Sequence, residues 1–277
     1  MAVPARPASN RCVTFKLQPW PRLRIIKAGF GIHQSPLFLF NAGVKPTATA
    51  LLLLLASCAS DPNRIPGPAT KVTREQTLAI ASAYQRLQWS PTEANVLHGR
   101  DADGIRVDTP DESLGKFGHK NGWWKPDHQM QGMPYKWGGF DTPREFLLGV
   151  KQGMAAGDIA TYEKRRLDEA AVSRHVAGID CSGFISRCWR LNRQYSTDEF
   201  HQICMPLQSA KELKAGDIML GKGHVLMFSR WDSMRLDHLI VYEATRVPTW
   251  RVNRGSISLE RLKKNGYRPW RYRNIVD

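Results

Sequence analysis

Residues 216–245 read GDIMLGKGHVLMFSRWDSMRLDHLIVYEAT and contain short apolar runs separated by turn residues. Apolar runs of four to eight residues between Gly, Asp and Ser clusters are typical of β-strands. Consecutive strands with short connections form an antiparallel arrangement, because a parallel pair needs a long crossover. The pattern continues to the end of the chain, and strands are predicted at 216–220, 224–231, 239–245, 249–254 and 268–273.

The chain before these strands shows helical periodicity. Residues 73–87 begin with Thr73 and, three residues later, Gln76, which is the pattern of a capping box. Two amphipathic helices are predicted within 143–177, broken near residue 156, and another at 181–192. Helices followed by an antiparallel sheet predict an α+β fold. The apolar stripe expected on the first helix is Ile80, Ala83, Tyr84 and Leu87.

Cys181 stands in the sequence Gly-Ile-Asp-Cys-Ser-Gly-Phe, residues 178–184. A thiol in the first turn of a buried helix faces free N–H groups and the positive end of the helix dipole, which favour the thiolate. Asp180 is placed to cap this helix, and Gly183 permits a close backbone approach. Cys181 is therefore a candidate nucleophile, and the alternative is an inert buried thiol. The helical stripe that begins at Cys181 continues through Phe184, Ile185, Cys188 and Leu191.

A thiol nucleophile needs a base, and His224 opens the predicted strand 224–231 directly after a Gly-Lys-Gly turn. A third polar group should accept the other imidazole N–H. Glu243 lies in an apolar strand, where an unpaired carboxylate would be costly. His238 is the rival for this place and projects from the opposite face of the same strand.

Five short motifs follow one another along residues 134–246: Tyr135-Lys136-Trp137-Gly138-Gly139, Asp180-Cys181-Ser182-Gly183-Phe184, Gly216-Asp217, Gly223-His224-Val225 and Tyr242-Glu243-Ala244. In this order they resemble the motifs of the NlpC-type cell-wall peptidases, which are papain-like cysteine peptidases of bacteria. The resemblance implies a papain-like fold, a helical part followed by an antiparallel sheet or half-barrel. It also implies hydrolysis of peptidoglycan stem peptides, commonly at the γ-D-glutamyl–diaminopimelate bond.

The resemblance assigns roles to individual residues. It implies that Cys181 is the nucleophile, His224 the base and Glu243 the third polar residue. Such chemistry needs no metal and no organic cofactor. Residues expected to form or support the substrate pocket are Tyr135, Trp137, Asp180, Ser182 and Gly183.

The predicted catalytic domain covers residues 131–277, and residues 73–130 form a helical and loop-rich extension before it. About 40 residues separate Gly139 from Asp180, more than in many members of the family. This insertion, 142–177, is expected to form extra helices near the cleft.

The beginning of the chain resembles a bacterial lipoprotein signal. A short apolar run leads to Leu55-Ala56-Ser57-Cys58, which resembles a lipobox, so Cys58 is the expected lipidation site. Residues 1–57 would be a leader, and translation starting at Val44 would make 1–43 an annotation artefact. Residues 58–72 then tether the domain, and we expect a lipid-anchored protein of the bacterial cell envelope.

The net charge of +15 is unevenly distributed. Seven of the 40 basic residues and none of the 25 acidic ones lie in 1–57, which leaves +8 over the remaining 220 residues. This excess favours anionic wall polymers or lipid headgroups over a nucleic acid. The expected partners are the peptide substrate and the membrane, with the protein itself a monomer.

Two other interpretations of the function remain open, and one segment must be considered as a metal site. The same Cys–His pair would serve an amidase or acyltransferase acting on another amide or ester, and a silent wall-binding lipoprotein is the alternative outside enzymes. Residues 101–104, Asp-Ala-Asp-Gly, resemble the start of a calcium loop. However, Ile105 and Arg106 occupy the positions of a ligand and of the turn glycine, so a simple turn is predicted.

Overall fold

The computed structural model describes residues 71–246 and 249–277. Within them, helices are combined with one six-stranded antiparallel sheet, which confirms the predicted α+β class. The predicted leader 1–57, the lipidation site Cys58 and nearly all of the tether 58–72 lie outside the described residues.

The described residues contain six α-helices, and none of these is long and apolar enough to cross a membrane. Four short 3-10 helices cover Glu93–Asn95, Glu112–Phe117, Asp168–Ala171 and Ala210–Glu212. The α-helices are α1 (Arg74–Arg86), α2 (Pro143–Lys151), α3 (Tyr162–Leu167), α4 (Cys181–Cys188), α5 (Phe200–Ile203) and α6 (Leu259–Lys264).

Fourteen strands, many of only two or three residues, occur in the same part of the chain. They are β1 (Val72–Thr73), β2 (Gln88–Trp89), β3 (His98–Arg100), β4 (Arg106–Asp108), β5 (Met130–Gln131), β6 (Ala155–Ala156), β7 (Val176–Ala177), β8 (Cys204–Pro206), β9 (Ile218–Gly221), β10 (His224–Trp231), β11 (His238–Ala244), β12 (Val252–Ser258), β13 (Arg268–Tyr272) and β14 (Ile275–Val276).

The main sheet has the strand order β12-β11-β10-β9-β13-β8, and every neighbouring pair is antiparallel. The prediction for 224–231 is confirmed, and β9, β11 and β13 lie within two residues of their predicted bounds. The strand predicted at 249–254 is confirmed only in its second half, because β12 covers Val252–Ser258. Trp250 has a φ of 47°, and its N–H donates to the Arg246 carbonyl, so the chain forms a turn just before the strand begins.

The core lies between α1, α4 and one face of the sheet. Phe184 and Ile185 of α4 are fully buried, and they share a cluster with Val225 of β10. The Tyr84 ring of α1 meets the Phe184 ring edge-on at 5.7 Å. The predicted extension 73–130 therefore shares its core with residues 131–277.

Helix α1 begins as predicted, and most of the expected stripe packs on the core: Tyr84 is buried, and Ile80 and Leu87 pack against the same cluster. The capping box is present: the Thr73 hydroxyl accepts from the Gln76 N–H, and the Gln76 side chain accepts from the Thr73 N–H. The expected stripe is wrong at Ala83, which is exposed, while Ala81 is buried. Alanine gains little from burial, so the direction of the large Tyr84 ring decides which face meets α4.

The predicted insertion, 142–177, forms two helices as expected, but α3 has only six residues. Instead of a simple break, residues 155–156 form β6, which pairs in parallel with β7. The buried Lys164 ammonium fastens the insertion, because it donates to the Asp158 carboxylate and to the Arg106 carbonyl at 2.6 Å. Helix α4 ends four residues before its predicted end, because Arg190 has a φ of 58° and turns the chain.

Candidate active site

Cys181 is the first residue of α4, and Asp180 caps that helix as predicted. The Asp180 Oδ1 atom accepts from the Gly183 N–H at 2.6 Å and from the Ser182 hydroxyl at 2.8 Å. Burial raises the pKa of the Asp180 carboxyl, although these hydrogen bonds oppose the shift. The N–H of a first helical residue has no carbonyl partner within its helix. The thiol therefore lies beside a free N–H and the positive end of the helix dipole.

Glycines bring the Tyr-Lys-Trp-Gly-Gly segment into contact with the start of α4. A Cβ atom on Gly183 would overlap the carbonyl oxygen of Gly139, and a Cβ on Gly139 would overlap the backbone of Gly178. The same Gly139 carbonyl accepts from the Asp180 N–H at 3.1 Å. These backbone contacts place residues 135–139 directly beside the nucleophile.

Sheet register places His224 and Glu243 on one face. Met227 of β10 pairs with Tyr242 of β11. If the same register continues, His224 and Glu243 are diagonal neighbours on adjacent strands, close enough for their side chains to touch. The Nε2 atom of His224 lies 2.8 Å from the Oε2 atom of Glu243, and both side chains are largely buried.

Cys181 interacts with the imidazole of His224. Since Nε2 is engaged by Glu243, Nδ1 is the nitrogen left for the thiol. Nδ1 is buried and has no partner of standard hydrogen-bond geometry among the described residues. Burial alone lowers the pKa of His224, but interactions with Cys181 and Glu243 outweigh it and raise the pKa to about 9.

His238 does not take part in this arrangement. It stands at the other end of β11 from Glu243, and its Nδ1 atom lies 2.9 Å from the carboxylate of its neighbour Asp237. Of the two candidates for the third position, the structure brings Glu243 to His224.

Tyr135 and Trp137 lie in the wall beside the nucleophile. Tyr135 is buried, and its ring meets Trp250 edge-on at 5.8 Å. Burial, followed by the charges of Cys181 and Asp180, raises the pKa of the Tyr135 phenol well above its usual range, so it remains a neutral donor. The Trp137 indole donates to the Asp168 carbonyl at 3.1 Å, which ties the wall to the insertion.

Cys181 lies in a cleft of about 720 Å³. One wall comes from the predicted insertion and the other from residues 193–199, which follow α4. All five predicted pocket residues belong to the cleft or to its support, Gly183 through its contact with Gly139. The insertion contributes Asp168, Glu169 and Val172, and the opposite wall contributes Arg193, Gln194, Ser196, Thr197, Asp198 and Glu199.

Three side chains near the site were not anticipated from the sequence. The Gln194 amide donates to the Asp180 carboxylate at 2.8 Å and to the Ser182 hydroxyl at 3.2 Å. Arg246 lines the cleft and donates to the carbonyl of Gly223 at 3.3 Å, and the Tyr267 ring lies against His224. No local sequence pattern marks these three residues, because each reaches the site only through a contact that the fold creates.

The segment that resembles a calcium loop forms a turn, as predicted. The Asp101 Oδ1 atom accepts from the N–H groups of Asp103 and Ile105, both at 2.9 Å. Asp101, Asp103 and His175 are close enough to hold a cation. However, Arg174 donates two hydrogen bonds to Asp103, at 2.7 and 2.8 Å. The Asp103 carboxylate therefore already has a positively charged partner.

Comparison with known proteins adds no further assignment: no protein-family model, no curated protein and no solved structure matches the chain.

Proposed function

We propose that this protein is a papain-like cysteine peptidase that hydrolyses amide bonds in peptidoglycan stem peptides. The observation that carries the proposal is the 2.8 Å contact between His224 and Glu243 beside a thiol at the start of a buried helix. A purely structural core has no need to bury an imidazole and a carboxylate next to a thiol that lines a cleft.

The arrangement supplies the steps of nucleophilic catalysis. His224 takes the Cys181 proton on Nδ1, and the thiolate then attacks the amide carbonyl carbon. The free N–H of Cys181 is placed to stabilise the resulting oxyanion. The Nδ1–H proton passes to the leaving amine, and water hydrolyses the thioester to release the acid and restore the thiol. Glu243 holds the ring by its other nitrogen throughout and stabilises the imidazolium.

The proposed papain-like fold is supported by the order and packing of the elements. The helix that carries the nucleophile comes before the sheet in sequence and packs against β10. The base begins that strand, and the third polar residue lies on the neighbouring strand β11. The peptidoglycan substrate, commonly cut at the D-glutamyl–diaminopimelate bond, is proposed from the five motifs shared with the NlpC-type family. We also propose that lipid on Cys58 anchors the protein in the bacterial envelope.

The direct test is to incubate the purified full chain with peptidoglycan and to map the products by mass spectrometry. We expect new termini at one stem-peptide bond and none with Cys181→Ala. Cys188→Ala is the matched control, since that buried thiol lies in the core, and it should retain activity if the variant folds.

Two outcomes would overturn the proposal. Equal cleavage by Cys181→Ala would remove Cys181 from the reaction. If the wild type and Cys181→Ala both co-sediment with the wall and neither gives a product, a wall-binding protein or an acyl substrate outside the wall is favoured.

A further inference from the structure

The Tyr267 ring lies against the imidazole of His224. The two ring centroids are 6.4 Å apart, and the planes are nearly perpendicular at 86°. Tyr267 directly precedes β13, and its backbone N–H donates to the Leu262 carbonyl of α6 at 3.0 Å. The position of the ring is therefore fixed by the connection between α6 and β13.

Gly221 provides the space through which this ring reaches His224. Arg268 pairs with Leu220, so the preceding Tyr267 stands beside Gly221, and on its other side Gly221 pairs with His224. A Cβ atom on Gly221 would come within 2.8 Å of the Tyr267 ring. The missing side chain at this central position lets an aromatic ring cross β9 and meet the imidazole.

The groups around His224 indicate what the Tyr267 ring contributes to its environment. The charged or titratable groups around it are Cys181 from α4, Glu243 from β11, Arg246 following β11, and Tyr267 itself. Burial, together with the nearby Glu243 and Cys181, raises the pKa of the Tyr267 phenol. The phenol thus stays neutral and brings no charge to the imidazole.

We propose that Tyr267 is a positioning residue, whose ring holds the His224 imidazole towards Glu243 and Cys181 and keeps water from the His224–Glu243 hydrogen bond. An edge contact restricts rotation of the imidazole. Excluding water strengthens the interaction of an imidazolium with a carboxylate. This inference rests on the proposed function, since it gives Tyr267 a role only if His224 acts with Cys181.

The test compares Tyr267→Ala with the conservative Tyr267→Phe in the full chain. The first readout is the titration of His224 by NMR with labelled histidine, with His224→Gln for assignment. Hydration would weaken the interactions with Glu243 and Cys181, which outweigh the effect of burial, so the pKa of His224 would move from about 9 towards its ordinary value. We therefore expect a fall of about one unit in Tyr267→Ala and no change in Tyr267→Phe. The second readout is turnover of stem peptide, where we expect kcat to fall about tenfold with KM unchanged.

Gly221→Ala is the independent variant. It keeps the tyrosine but displaces its ring, so it should lower the pKa of His224 as Tyr267→Ala does. An unchanged titration in both Tyr267→Ala and Gly221→Ala, with thermal unfolding showing a folded protein, would overturn the role of Tyr267. A wild-type His224 that titrates near its ordinary value would instead contradict the proposed function. The two failures are thus distinguishable.

Discussion

The imidazole of His224 has a different environment at each nitrogen. Nε2 is bound to the Glu243 carboxylate, which leaves Nδ1 as the nitrogen available to Cys181. A carboxylate at Nε2 favours the protonated ring, and a thiolate at Nδ1 favours it further. The imidazole of His224 is thus held in its protonated form near neutral pH.

Replacing Glu243 with Gln should shift the pH dependence of activity. Glu243 raises the pKa of His224, so loss of its charge lowers that pKa, and the imidazolium is lost at lower pH. The basic limb of the pH–kcat/KM profile should move down by about one unit or more, with a fall in activity of about tenfold.

His238→Gln is the matched control for this experiment, because His238 belongs to the same strand but its imidazole is hydrogen-bonded to Asp237 and not to His224. It should leave the profile unchanged. A shifted basic limb in His238→Gln, with none in Glu243→Gln, would reverse the assignment of the third position.

At the scale of elements, the start of α4 depends on backbone contact with residues 135–139. The cap at Asp180 satisfies the Gly183 N–H, and Gly183 itself lies against the Gly139 carbonyl. A Cβ atom on Gly183 would collide with the Gly139 backbone, and no choice of side-chain rotamer can relieve a collision at Cβ. The Asp-Cys-Ser-Gly motif therefore has a packing function as well as a chemical one.

Gly183→Ala should destabilise the protein by about 1–3 kcal/mol, since its Cβ would displace backbone of a buried segment. The free energy of unfolding in urea measures the effect. Gly99→Ala is the control, because a Cβ there meets no atom within 4 Å. Equal stability of the two variants would show that the contact between Gly183 and Gly139 is not tight in solution.

At the scale of the whole molecule, contacts join the two ends of the described chain. Strand β1 pairs in parallel with β14. Arg74 of α1 and Arg271 of β13 both bind the buried carboxylate of Asp217, at 3.0 and 2.7 Å. Residues before the predicted catalytic domain are thereby held against its last strands.

Cys58→Ser should abolish lipidation in a bacterial host. We expect wild-type protein to incorporate a labelled fatty acid and to remain with the membrane fraction, and the variant to lose both properties, because acyl chains supply the attachment. Cys12→Ser is the control and should behave as wild type. Label retained in Cys58→Ser would exclude Cys58 as the acylated residue.

The amino-acid sequence by itself determined the local features of this protein. The α1 capping box, the Asp180 cap, the strand at 224–231 and the candidates Cys181, His224 and Glu243 could be predicted, because capping and periodicity involve residues close in sequence.

Only the tertiary structure decided which distant groups meet. The choice of Glu243 over His238 depends on the register of β10 and β11, and the contact of Tyr267 with His224 depends on the order β13-β9-β10. The Gln194 contacts, and the cleft wall from the insertion, likewise arise from packing. These contacts join residues far apart in the chain, so no local pattern encodes them.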